Sequence, residues 1–110
     1  MEKIEEYFGT SLPEAYKNFL IHNTDYLQND LVATYLLEGI IERNTVYETK
    51  EYAPGYIAIG DDSGGSAFLL KLKETNSPVY SVDHGSMDPL DMELVSNSFT
   101  EWQESSFEYK

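Results

Sequence analysis

Two apolar runs joined by an acidic, glycine-bearing turn constrain this chain more than any other part of it: Tyr56-Ile57-Ala58-Ile59-Gly60, then Asp61-Asp62-Ser63-Gly64-Gly65, then Ser66-Ala67-Phe68-Leu69-Leu70. Each run has the length of a strand, carries apolar and aromatic side chains, and is bounded by turn formers. Gly60, Gly64 and Gly65 are expected to supply positive φ angles or close backbone approach between the runs. A β-hairpin accounts for all of it. The same stretch comes close to three enzyme motifs, and each fails on physical grounds. Asp62-Ser63-Gly64-Gly65 is spelled like the nucleophile loop of chymotrypsin-like proteases, but Ser63 needs a general base, an orienting carboxylate and two β-barrels. A chain of 110 residues cannot build both barrels. Gly60 and Gly65 have the glycine spacing of a phosphate loop, yet Ser66 stands where the lysine belongs, and Asp61 and Asp62 repel phosphate. Calcium loops need acids at alternate positions, whereas Asp61 and Asp62 are adjacent and diverge in an extended chain. No catalytic residue is expected.

The length sets the scale of the core. One domain of this size buries about 65% of the surface its unfolded form exposes, with no room for a second core. Apolar residues make up 41% and aromatics 14%, which excludes a disordered chain despite the charge. Cysteine is absent, so neither a disulfide framework nor a thiolate metal site is available. The opening Met1-Glu2-Lys3-Ile4-Glu5-Glu6 lacks the basic and apolar blocks of a signal peptide, and no apolar run reaches the length of a membrane span. A soluble, cytoplasmic protein is the expectation.

Charge narrows the partners. Twenty acids against seven bases give a formal net charge of -13, which repels nucleic acid and anionic membranes. From Glu74 to Tyr109 there are eight acids and no lysine or arginine. Acidity can serve solubility alone, but a field of one sign also steers a strongly basic partner.

Along the chain, Ile4, Tyr7 and Phe8 predict a short helix over 2–8, ended by Gly9 as its C-cap. Ser11-Leu12-Pro13-Glu14 reads as a capping box with Ser11 as N-cap and Glu14 as its partner. Leu12, Ala15, Tyr16, Phe19 and Leu20 then form the apolar stripe of a core helix, which ends at His22-Asn23-Thr24-Asp25. A polar loop is expected to Asp30. Leu31 to Leu37 reads ambiguously as a strand, Glu38 to Glu48 as a helix, and Tyr52-Ala53-Pro54-Gly55 as a stop before the hairpin. Turn chemistry over 73–78 precedes a strand at Val79-Tyr80-Ser81-Val82, a loop from His84 to Asp91 and a short strand at Met92 to Val95. Ser98-Phe99-Thr100-Glu101 opens a C-terminal helix containing Trp102. Helices flanking a run of strands predict an α+β domain with an antiparallel sheet.

These pieces occur together, in order, in one known family. Leu12-Pro13 with Tyr16, Phe19-Leu20 and Asn23, then Ile57 to Gly60 with Asp61 and Gly64-Gly65, then Val79-Tyr80, Asp83-His84 and Ser98-Phe99 with Trp102, resemble the SUKH superfamily from about Ile4 to Trp102. That superfamily holds bacterial immunity proteins and a fungal regulator of cell-wall synthesis. The resemblance implies helices packed on an antiparallel sheet in a single domain over 1–110, and a role in neutralising a cognate polymorphic toxin. Many such toxins are nucleases, whose basic clefts suit an acidic inhibitor.

The residues expected to meet that partner are Asp61, Asp62, Asp83, His84, Asp88, Asp91 and Glu93, with Tyr56 and Tyr80. Each also has a simpler reading. Asp83 and His84, neighbours at a strand end, point to opposite faces and suit a turn better than an acid/base pair. His22 near a helix C-terminus suits capping. Trp102 and Phe99 suit the core. Tyr35, Tyr47, Tyr52, Tyr56, Tyr80 and Tyr109 exceed what a small core requires, and tyrosine is favoured at interfaces. Two other function classes stay open. One is a small ligand- or metal-binding regulatory domain using the Asp61 and Asp83 to Glu93 loops. The other is a scaffold like the fungal members. No cofactor or metal is expected.

Overall fold

The computed structural model describes residues 1–109. Helix α1 covers Glu2–Phe8 and stops at Gly9, which adopts φ 74° and returns its N–H to Glu5 O, as the C-cap reading requires. Helix α2 covers Glu14–His22, and here the expected capping box is not formed. A helix capped by Ser11 needs Leu12 in helical conformation, but Leu12 precedes Pro13 and is pushed out of that region. Pro13 itself is extended at ψ 133°, so the helix starts only at Glu14 with no side-chain cap. Leu12 instead turns into the core and gives its N–H to Glu5 Oε2 at 2.9 Å. That carboxylate also lies 3.5 Å from Lys17 Nζ, tying α1 to α2. The backbone bond first, then Lys17, outweigh burial and hold the Glu5 carboxyl below its usual range.

The expected polar loop and the ambiguous strand over 31–37 resolve into a hairpin, β1 (Leu27–Asn29) and β2 (Val32–Thr34). The helix expected over 38–48 is α3 (Ile40–Val46), and a second short helix not expected there, α4 (Thr49–Tyr52), follows it. Glu48 breaks them apart at φ 54°. Strands β3 (Tyr56–Asp61) and β4 (Ser66–Lys71) make the hairpin read from the sequence. Next come β5 (Val79–Asp83), a 3-10 turn at Pro89–Asp91, β6 (Glu93–Ser96) and helix α5 (Phe99–Glu104). Ser98 caps α5, its hydroxyl accepting from Glu101 N at 3.1 Å. All six strands are antiparallel in the order β1-β2-β3-β4-β5-β6. The result is one α+β domain, as the sequence predicts.

The β3–β4 pair lies at the centre of the sheet, and Ala67 to Leu70 are all buried, so β4 is covered on both faces. Tyr16, Leu20, Ile40, Phe68, Phe99 and Trp102 are the large side chains of that core. The glycines of the hairpin act differently than expected. Among the described residues Gly64 and Gly65 do not take positive φ; Ser63 does, at 63°. Two Asx bonds hold it there: Asp61 Oδ1 accepts Ser63 N at 3.0 Å and Asp62 Oδ1 accepts Gly64 N at 2.8 Å. Gly60 serves close approach, since a Cβ there would run into Ala33 O of β2. Both partners in that clash are main chain, so neither can swing away. Gly60→Ala is expected to lose about 1 to 3 kcal/mol of stability in a urea melt, as overpacked interiors do; an unchanged midpoint would show that β2 can shift freely along β3.

Candidate functional site

Antiparallel order decides which loops become neighbours. β3 ends at Asp61, β4 begins at Ser66, β5 ends at Asp83 and β6 begins at Glu93. Ser66 pairs with Asp83 and Ser81 with Glu93, while His84 N reaches Gly65 O at 2.7 Å. The β3–β4 turn and the β5–β6 connection therefore meet at one end of the sheet. Asp62, Asp83, Asp88, Asp91 and Glu93 gather there, and all but the half-buried Asp62 are exposed. Each aspartate first fixes its own loop. Asp62 Oδ1 also accepts Ser66 N at 3.1 Å, Asp83 Oδ1 accepts Gly85 N at 2.7 Å, and Asp88 Oδ1 caps the 3-10 turn through Leu90 N at 2.9 Å. Asp91 Oδ2 accepts from Ser86 Oγ at 2.6 Å. None of them forms an ion pair with a lysine or arginine among the described residues. Their charge is thus uncompensated and faces outward.

Asp61 and His84 sit differently. Asp61 is 7% exposed, and its Oδ2 lies 2.9 Å from Tyr35 OH. Tyr35 OH is also 3.2 Å from Tyr47 OH. One phenol carries one proton, so Tyr35 donates to the carboxylate and accepts from Tyr47. Burial, then the Tyr47 bond and the Asp61 charge, raise the Tyr35 phenol above its ordinary pKa and keep it a donor. The Arg43 guanidinium lies 5.3 Å from the centre of the Tyr35 ring. His84 stacks on Tyr47 with ring centres 4.6 Å apart, and its Nε2 is enclosed without a hydrogen-bond partner. Asp61 therefore closes the interior beneath the acidic end, while half-buried His84 stays partly at the surface.

Tyr56 and Tyr80 meet edge to face at 6.0 Å; Tyr56 lies toward the opposite end of the sheet, where it pairs with Lys71, while Tyr80 lies opposite Leu94, next to the Ser81–Glu93 pair. Lys71 Nζ lies 5.7 Å from the Tyr80 ring centre. Of the two expected tyrosines, Tyr80 thus adjoins the acidic end and Tyr56 lies farther along the sheet. His22 is exposed and its Nδ1 lies 2.9 Å from Asn18 O, the local role read for it. Among the described residues, no hydrogen bond joins Ser63 Oγ to either histidine. No group of three or more histidine, aspartate or glutamate side chains is disposed to hold a metal among the described residues.

Sequence reasoning missed the apolar part of this end. Leu90 is 92% exposed and Leu94 59% exposed, both set among the acids. The signal was present in Asp88-Pro89-Leu90-Asp91-Met92-Glu93-Leu94, where every large apolar residue adjoins an acid.

The SMI1/KNR4 family (SUKH-1) model matches residues 1–105. The chain belongs to that family. A protein of Bacillus subtilis (strain 168), YnaB, itself described as uncharacterized, is 29% identical over 100 residues, covering 90% of this chain and 67% of the relative. The family match takes in the whole sheet and all of α5, so the hairpin, the acidic end and Trp102 lie within it. No helix among the described residues is long and apolar enough to cross a membrane.

Proposed function

We propose that this SMI1/KNR4 chain is an immunity-type protein without catalysis of its own, which binds a cognate toxin in the cytoplasm and covers the toxin's basic surface. The observation that carries the reading is the acidic end of the sheet, where Asp83, Asp88, Asp91 and Glu93 are exposed without cationic partners beside the bare Leu90 and Leu94. Charge brings a cationic nuclease domain in quickly, and desolvated leucines slow its departure. Family membership supports a protein partner, since bacterial members of the superfamily are expected beside toxin genes.

Co-purification with the protein encoded by the adjacent gene is the direct test. Asp88→Lys, Asp91→Lys and Glu93→Lys together should slow association by about tenfold or more and remove protection of cells that carry the toxin. Stability should fall by no more than about 1 kcal/mol, the cost of the Asp88 cap, because exposed charges contribute little to the fold. Association that ignores both salt and the triple reversal would refute the electrostatic part. Full protection without physical binding would refute the immunity reading.

A further inference from the structure

We propose that β6 is a docking edge for an extended segment of a partner protein in which basic and apolar residues alternate, added to the sheet as one more strand. The inference deepens the immunity reading and rests on it for the partner's identity, while the edge is argued from this chain alone. The sheet order leaves two edges, β1 and β6. β1 is blunted: it has three residues, its register slips between Leu27 and Asn29, and Asn29 Nδ2 is tied to Ser106 O and Phe107 O, both at 2.9 Å. β6 is four residues long and pairs with β5 on one side, and its outer side has no backbone partner among the described residues. Beside it runs a cleft of about 450 Å³ lined by Ser81, Glu93, Leu94, Val95, Glu108 and Tyr109.

Register and charge choose the occupant. Glu93 lies opposite Ser81, which lies opposite Phe68, the ring that touches Trp102 and Tyr109. Leu94 lies opposite Tyr80, on the other face. Side chains of an added strand alternate between those faces, so one set meets Glu93 and Glu108 while the next meets Leu94. A second copy of this chain fits poorly, because two chains of net charge -13 would bring their Glu93 carboxylates together.

The test uses a synthetic octapeptide of alternating lysine and valine, with a glutamate-valine peptide and an N-methylated lysine-valine peptide as controls. The lysine-valine peptide should slow hydrogen exchange of the Glu93 to Ser96 amides, and its affinity should fall with salt. Glu93→Lys with Glu108→Lys should weaken it by about tenfold. N-methylation on the pairing edge removes the backbone donors and should abolish the protection. Equal binding of the N-methylated peptide would show attraction without strand addition and overturn the proposal. So would protection of β6 by self-association in sedimentation. A co-purified toxin that leaves 93–96 unprotected would sink the edge and leave the immunity reading standing. Peptide protection without any toxin binding would do the reverse.

Discussion

Trp102→Ala is expected to lower stability by about 3 to 5 kcal/mol in urea unfolding followed by circular dichroism, the range for a large aromatic removed from a packed core. Trp102 is 1% exposed and meets Phe68 at 5.0 Å, Phe107 at 4.9 Å and Phe99 at 6.4 Å between ring centres. It therefore joins the central strand β4 to α5 and to the C-terminal segment, and no neighbour is free to fill the space it leaves. Its Nε1 also donates to Glu108 O at 3.0 Å, which fixes the residues forming one wall of the cleft beside β6. Trp102→Phe separates the two roles, since it keeps most of the ring but loses the donor. It should cost about 1 kcal/mol, one net hydrogen bond, while speeding hydrogen exchange at Glu108. Phe19, by contrast, is half-buried, with its ring 5.4 Å from Phe99 and 5.6 Å from Phe107, so its truncation should fall short of the Trp102 loss. Equal losses at both positions would show that the core is not centred on α5.

Elements whose pattern comes from burial were legible in the sequence. The β3–β4 hairpin, β5, α2 and α5 each carry an apolar period that survives into the fold because one or both faces are covered. Strand β1 was not legible, because Leu27 is exposed and nothing in Leu27-Gln28-Asn29 alternates by burial. Polar side chains hold that hairpin instead: Gln28 Nε2 donates to Thr34 Oγ1 at 3.0 Å and to Asp25 O at 2.8 Å. The break at Glu48 escaped notice for a related reason. Its left-handed backbone falls on a glutamate, not on a glycine that the sequence could advertise.

At the candidate site, the gathering of acids followed from topology once the strands were known to be antiparallel neighbours. The loops after β3 and after β5 must then lie at the same end of the sheet. The inward turn of Asp61 could not be read locally. Its partner Tyr35 is 26 positions away, and only the β2–β3 pairing brings the phenol to the carboxylate. Tyr56 is separated from the acids by strand length alone, since the five residue steps of β3 from Tyr56 to Asp61 span about 17 Å, whereas Tyr80 lies opposite Leu94 and beside Glu93.

Asn44→Ala is expected to be nearly as damaging as loss of the tryptophan, through an opposite mechanism. β3 and β4 slip in register between Ala58 and Gly60, so Ile59 is an extra residue and part of the ladder is lost at the centre of the sheet. Just before that bulge, Asn44 of α3, 0% exposed, bonds the side of Ala58 that β2, paired only with Gly60 and Asp61, does not reach. Its Oδ1 accepts Ala58 N at 2.8 Å, and its Nδ2 donates to Ala58 O and Ile40 O, both at 2.9 Å. Removing the amide leaves a buried N–H and a buried C=O of Ala58 without partners, at about 1 to 3 kcal/mol each, so a loss of about 2 to 6 kcal/mol follows. Asn44→Leu should do no better, although it keeps the volume, because the penalty lies in the orphaned backbone and not in a cavity. Native-state hydrogen exchange at Ala58 reports the same event directly and should accelerate in both variants. If Asn44→Leu melts with the unmodified protein, the Ala58 backbone is satisfied in some other way, and α3 packs on β3 through its apolar residues alone.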